Sequence, residues 1–140
     1  MTENIPSKIY KKSFPSDPDL LPEIEDFIMD KVTEANLDKK KLSNLALSVA
    51  EATSNAIMHG NKADKDKNVY IEIKILPDKI DIVIRDEGVG FTLENVPDPT
   101  LPENILKDSG RGIYIMRSFL DDLKFDFSSK GTTLTLSVNR

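Results

Sequence analysis

Two short segments, Val69 to Ile75 and Ile80 to Arg85, constrain the fold more than any other part of the chain. In the first, Val69, Ile71, Ile73 and Ile75 alternate with Tyr70, Glu72 and Lys74; in the second, Ile80, Ile82 and Ile84 alternate with Asp81, Val83 and Arg85. A two-residue period belongs to a strand with one covered face, and Pro77-Asp78-Lys79 between them suits a turn. The pair reads as an antiparallel hairpin with apolar material over its isoleucine side. Asp86 continues the series Ile80, Ile82, Ile84, so its carboxylate points to the covered side if the strand runs on. A carboxylate there is costly unless something hydrogen-bonds to it. The alternative is that the strand ends at Arg85 and Asp86 turns outward.

The covering layer is helical. Ser16-Asp17-Pro18-Asp19 marks a helix start, and Leu20, Leu21, Ile24, Phe27, Ile28, Val32 and Ala35 follow with a helical period. Asn36 closes that helix and Asp38 caps the next. In the second helix Leu42, Leu45, Ala46, Val49, Ala56 and Ile57 share one broad apolar face, if Leu42 to His59 is helical. Ser48, Glu51, Asn55 and His59 recur at three- and four-residue steps and form a polar line beside it. A carboxylate, a carboxamide and an imidazole in register suit metal, phosphate and water, and equally a solvated edge. Gly60 is expected to supply the helix stop, which favours a structural role for His59 at the helix end over direct chemistry. The alternating charges of Asn61 to Asn68 read as a solvated loop.

Lys8 to Phe14 reads as an edge strand. After Asp86, Gly88 and Gly90 allow close backbone approach to a ligand. Residues 92–108 hold three prolines and little periodicity, the pattern of a lid or binding loop. Ser109-Gly110-Arg111-Gly112 then opens a helix, Ile113 to Asp121, and free N–H groups at such an entry favour phosphate. A last hairpin follows, with Leu123, Phe125 and Phe127 on one strand and Leu134, Leu136 and Val138 on the other. Thr132 is in phase with the latter three, so a hydroxyl joins the Asp86 carboxylate on the covered side. Such a pair can recognise a planar group bearing both donors and acceptors, such as adenine. The order strand, helix, helix, strand, strand, lid, helix, strand, strand predicts an α+β two-layer sandwich, its sheet mixed but mostly antiparallel with helices on one face. The 140 residues suit a single domain, 1–140.

Composition removes several function classes. A formal net charge of -5 argues against a nucleic-acid partner. With no cysteine and one histidine, disulfides and the usual zinc sites are excluded. No apolar run reaches the ~18 residues of a membrane helix, and the N-terminus has no signal-peptide pattern, so a cytoplasmic protein is expected.

Taken together, Glu51-x-x-x-Asn55-Ala56-x-x-His59-Gly60, Asp86-x-Gly88-x-Gly90, Gly110-x-Gly112 and Gly131-Thr132 resemble the four sequence boxes of the GHKL ATPases. From about Leu42 to the C-terminus, their order and distances are similar to those of that superfamily and its Bergerat ATP-binding fold. The wording around Asn55 to Gly60 looks most like the bacterial anti-sigma-factor serine/threonine kinases of partner-switching systems. The resemblance implies ATP and Mg²⁺ as cofactors, with Asn55 on the metal and Glu51 as the general base. It further implies Asp86 on the adenine amino group, Gly88 and Gly90 giving room for the base, and Thr132 supporting the same edge. Ser109, Gly110, Arg111 and Gly112 would hold phosphates, with residues 92–108 as the ATP lid. By the same resemblance the partners are a sigma factor and a small anti-sigma-factor antagonist, and the protein is a homodimer.

One position departs from that pattern. The best-matched kinases carry an arginine just before the Ser-Gly of the second glycine motif; here the residue is Asp108, with Lys107 and Arg111 as the nearest cations. A missing cation weakens phosphoryl transfer while sparing ATP binding. The alternatives are therefore an ATP-dependent kinase, a nucleotide-responsive binding module without transfer, and a detached histidine-kinase catalytic domain. The last is disfavoured because the chain has no room for a dimerisation helix pair carrying a phospho-accepting histidine.

Overall fold

A computed structural model describes residues 7–88, 116–128 and 130–140. The hairpin pattern is realised as β2 (Asn68–Ile75) and β3 (Lys79–Arg85), paired so that Ile71 faces Ile84 and Ile73 faces Ile82. Leu76 N–H donates to the Lys79 carbonyl at 2.8 Å and closes the turn between them. β1 (Lys8–Pro15) adds to the outer side of β2, while β4 (Asp122–Ser128) and β5 (Gly131–Asn139) form the second hairpin. The sheet order is β1-β2-β3-β5-β4. All four pairings are antiparallel, so among the described residues the sheet is not mixed.

Because the side-chain period is two, this register gathers the branched residues on one face. Val69, Ile71, Ile73 and Ile75 of β2, Ile80, Ile82 and Ile84 of β3, and Leu134, Leu136 and Val138 of β5 are all buried. α1 (Leu21–Val32) and α2 (Lys39–Ser54) cover that face with Ile24, Ile28, Val32, Leu45, Val49 and Ala52. Each fully buried isoleucine or leucine contributes about 1.5–3 kcal/mol, so this layer is the main source of stability. The opposite face, with Tyr70, Glu72, Lys74 and Arg85, stays open, and Arg85 lies over the Tyr70 ring at 4.0 Å.

The helix ends follow their local chemistry. Asp17 accepts a hydrogen bond from Asp19 N–H at 2.9 Å, and Pro18 sits in the first turn of a short 3-10 segment leading into α1. Asn36 closes the α1 unit in the left-handed conformation with φ 56°. Asp38 caps α2 by accepting from Lys41 N–H at 2.8 Å. Met116 to Phe119 are helical; the rest of the helix expected over Ile113 to Asp121 lies outside the described residues.

Candidate functional site

α2 ends as an α-helix at Ser54 and continues through Asn55–Gly60 as a π-helical turn, instead of running unbroken to His59 as the apolar period suggested. Asn61 N–H reaches the Ala56 carbonyl at 2.8 Å, the five-residue closure of a wider turn. Such turns concentrate at functional sites. Glu51 and Asn55 lie one α-turn apart on the same helix side, both half-buried. The polar line anticipated from the sequence is not uniform. Ser48 is fully buried and donates to the Asn44 carbonyl at 3.0 Å, whereas His59 is exposed. Only Glu51 and Asn55 sit at the boundary between core and surface.

Asp86 does point inward. It is 6% exposed and stands just past β3, on the isoleucine side. Its Oδ1 accepts two backbone hydrogen bonds, from Gly88 at 2.9 Å and from Thr132 at 3.1 Å. Its own N–H donates to the Thr132 carbonyl at 3.0 Å, so the end of β3 and the start of β5 hold each other. Burial pushes the Asp86 carboxyl above the ordinary value of 3.8; the Gly88 and Thr132 amides, then the charges of Arg85 and Lys67, work against that shift. Thr132 thus meets Asp86 through its backbone, with its side chain half-buried.

Three glycines make room for this carboxylate. A Cβ at Gly60 would overlap Asp86 Oδ2, and one at Gly131 would overlap the Asp86 carbonyl oxygen. At Gly88 it would come within 2.6 Å of the Gly60 carbonyl oxygen. Gly131 also has φ +141°, which disfavours any side chain. Gly60, by contrast, has no positive φ. The helix stop expected there is found, since the helical run ends at Gly60, and the structure makes the glycine a point of close approach as well. The left-handed residues lie beyond it, at Lys62 and Ala63.

A partly buried polar ring, not anticipated from the sequence, braces this arrangement. Asn61 is 1% exposed. Its Nδ2 donates to Ser16 Oγ at 2.5 Å and to the Asn68 carbonyl at 3.0 Å; its Oδ1 accepts from Glu87 N–H at 2.7 Å. Glu87 Oε2 in turn accepts from Asn68 N–H at 2.5 Å. Ser16 reads as a helix start and Asn61 as a polar loop, because partners this distant in sequence leave no periodic trace.

The structure brings Asp86, Gly88 and Thr132 into direct contact and places Glu51 and Asn55 together on the neighbouring helix. Gly90, Lys107, Ser109, Gly110, Arg111 and Gly112, together with Asp108 and the 92–108 lid, lie outside the described residues. Among the described residues no group of three or more His, Asp or Glu side chains could hold a metal ion unaided. No described helix is long and apolar enough to cross a membrane.

Comparisons with known proteins agree with this architecture. Residues 14–138 match the family described as Histidine kinase-like ATPase domain. The chain is 40% identical over 102 residues to the Anti-sigma F factor of Bacillus velezensis, covering 69% of this chain and 68% of that protein. The Anti-sigma F factor of Clostridium perfringens strain SM101 is 36% identical over 102 residues, covering 69% and 71%. Among solved structures, the RsbU and RsbW domains of a Mycobacterium tuberculosis protein superpose with TM-score 0.67 at 12% identity, over 95% of this chain and 32% of that one. The mycobacterial sensor histidine kinase MprB gives 0.56 at 16% identity, over 93% and 97%; at such identities the likeness is one of fold. With the family match spanning both helices, β2 to β4 and all of β5 but Asn139, the chain belongs to the histidine kinase-like ATPase family.

Proposed function

We propose that this protein binds ATP against Asp86 and transfers its γ-phosphate to a serine or threonine of a small anti-sigma-factor antagonist, and that it also binds a sigma factor. The observation that carries the reading is the Asp86 carboxylate, buried, fixed through Oδ1 by two backbone amides and cleared of side chains by three glycines. Both described hydrogen bonds to this group use Oδ1, and we assign Oδ2 to a ligand donor. The exocyclic amino group of adenine is such a donor; guanine presents a carbonyl oxygen at the same place and is repelled. Thr132 and Gly88 complete the edge that meets the base.

Glu51 is the general base. It takes the acceptor hydroxyl's proton as the new O–P bond forms and the bond from the γ-phosphorus to its bridging oxygen breaks, leaving ADP and a phosphorylated serine or threonine. Asn55, one turn on, offers its carboxamide oxygen to Mg²⁺. A single protein ligand suits this ion, which keeps waters and phosphate oxygens around it and is rarely caged by protein alone. When bound, it neutralises charge on the phosphates. Gly90, Lys107, Ser109, Gly110, Arg111 and Gly112 are assigned to the nucleotide's phosphate side. The relatives named Anti-sigma F factor support the sigma-factor partner, and with such a partner we assign the protein to the cytoplasm. We assign it the homodimeric state.

The test is a pull-down from native cytosol with Mg-ATP and with Mg-ADP, followed by mass spectrometry for phosphoserine and phosphothreonine. A sigma factor retained with ATP, together with a small phosphorylated partner, supports the kinase. Nucleotide-dependent partners with no phosphate on any of them would favour a binding module instead.

A further inference from the structure

The ring around Asn61 joins elements far apart in sequence. We propose that Asn61 is a positioning residue for Asp86, linking the β1–α1 junction at Ser16 to the atom that reads the purine. The inference rests on the nucleotide reading of Asp86 given above.

The geometry gives the argument. Residues 60–61 and 86–87 clamp each other as two adjacent pairs. Gly60 lies against the Asp86 carboxylate, and the next residue, Asn61, accepts the N–H of the next residue, Glu87, at 2.7 Å. The amide orientation of Asn61 is fixed by its neighbours, because a backbone N–H needs an oxygen opposite it and a backbone carbonyl needs a donor. Its donor side is taken up by the Asn68 carbonyl and Ser16 Oγ. Glu87 cannot swing away either, since its carboxylate holds Asn68 N–H at 2.5 Å. Asn61 to Asn68, Asn68 to Glu87 and Glu87 back to Asn61 form a closed circuit with Ser16 as its outer anchor. A partly buried network closed on itself around the buried Asn61 favours one arrangement. The peptide that carries Asp86 into the site is therefore set from the Asn61 side, while Gly88 and Thr132 set its carboxylate from the other.

Ser16 is 0% exposed and stands between β1 and the turn into α1, bonded to the Nδ2 of Asn61 while the Oδ1 of the same amide holds Glu87 N–H. Its backbone N–H also donates to the Lys67 carbonyl at 2.9 Å, a bond that Ser16→Ala keeps, so loss of the hydroxyl should be felt at the nucleotide through Asn61.

The experiment measures ATP and GTP binding with Mg²⁺ by isothermal titration, alongside thermal unfolding, for Asn61→Ala, Ser16→Ala, their double variant and Asp86→Asn. Asn61→Ala is expected to weaken ATP about tenfold or more and to narrow the preference for ATP over GTP. Ser16→Ala is expected to move both quantities the same way by a smaller factor, with the double variant no worse than Asn61→Ala alone. A general loss of stability would lower the folded fraction without changing the ATP-to-GTP ratio of the folded protein. If Asp86→Asn abolishes ATP binding while the Asn61 and Ser16 variants keep the parent ratio, the positioning role is wrong and the nucleotide reading stands. If Asp86→Asn leaves ATP binding intact, the nucleotide reading itself is wrong. Should Asn61→Ala not fold, an unchanged ratio in Ser16→Ala overturns the proposal.

Discussion

Asp86→Asn separates the binding role of this residue from its role in the fold. The substitution is isosteric, and an amide oxygen can accept the same two N–H bonds that Oδ1 takes from Gly88 and Thr132. What changes is the other atom, which becomes a donor facing the adenine amino group. A hydrogen bond to a charged acceptor is worth about 1.5–3 kcal/mol, and leaving donors unsatisfied costs about 1–3 more. The sum, about 2.5–6 kcal/mol, corresponds to ATP binding weaker by roughly 10²- to 10⁴-fold. Stability of the nucleotide-free protein should move the opposite way or not at all. The folded chain holds the Asp86 proton more tightly than the unfolded chain, because burial raises its value above 3.8. Its contribution is therefore full below that pH and is lost as pH rises through the raised folded value. At neutral pH the ionised carboxylate opposes folding, and asparagine removes that cost. Titration calorimetry and thermal unfolding from pH 3 to pH 8 read both effects. An Asp86→Asn variant that binds ATP within about threefold of the parent would refute the adenine contact. One that unfolds at neutral pH would refute the view that Asp86 serves binding at the expense of the fold.

Glu51→Gln should lower phosphoryl transfer by roughly 10²- to 10⁴-fold with ATP affinity within about threefold, measured by single-turnover phosphate transfer to the partner. Gly60→Ala places a methyl group on the Asp86 carboxylate, so ATP binding should fall about tenfold or more; unchanged titrations would argue against the close approach. Ile73→Ala, at a 0% exposed position in a central strand, should cost about 2–5 kcal/mol in denaturant unfolding without altering the purine preference. Glu34 is held below its ordinary carboxyl range by hydrogen bonds from Tyr10 at 2.7 Å and Lys8 at 3.0 Å. Tyr10→Phe should move it back upward in an NMR titration.

The sheet was legible because a strict two-residue period has one physical meaning, and the same phase carried the inward turn of Asp86 one residue past the strand. Asn36 and Asp38 were legible because closing and capping a helix are local acts. Gly60 was legible as the helix stop, but the reason it must be glycine lies 26 positions away, at Asp86, and leaves no local signal. The π-helical turn was hidden for a related cause: apolar spacing barely changes over one widened turn. Asn61, Ser16 and Glu87 are polar residues in apparent loops, and only the assembled fold shows that they meet, the first two buried and Glu87 half-buried.

The strand order has a consequence for how the protein comes into being. β5 lies between β3 and β4, and among the described residues it is the only strand that β4 pairs with. As the chain leaves the ribosome, β1, β2 and β3 can associate early, but Asp86 waits for Thr132, 46 positions later, to supply its second amide. Pairing across such a separation closes a large loop and is slow. A nascent or truncated chain lacking β5 would present Asp86 without the Thr132 amide, so the site is complete only once β5 has been made.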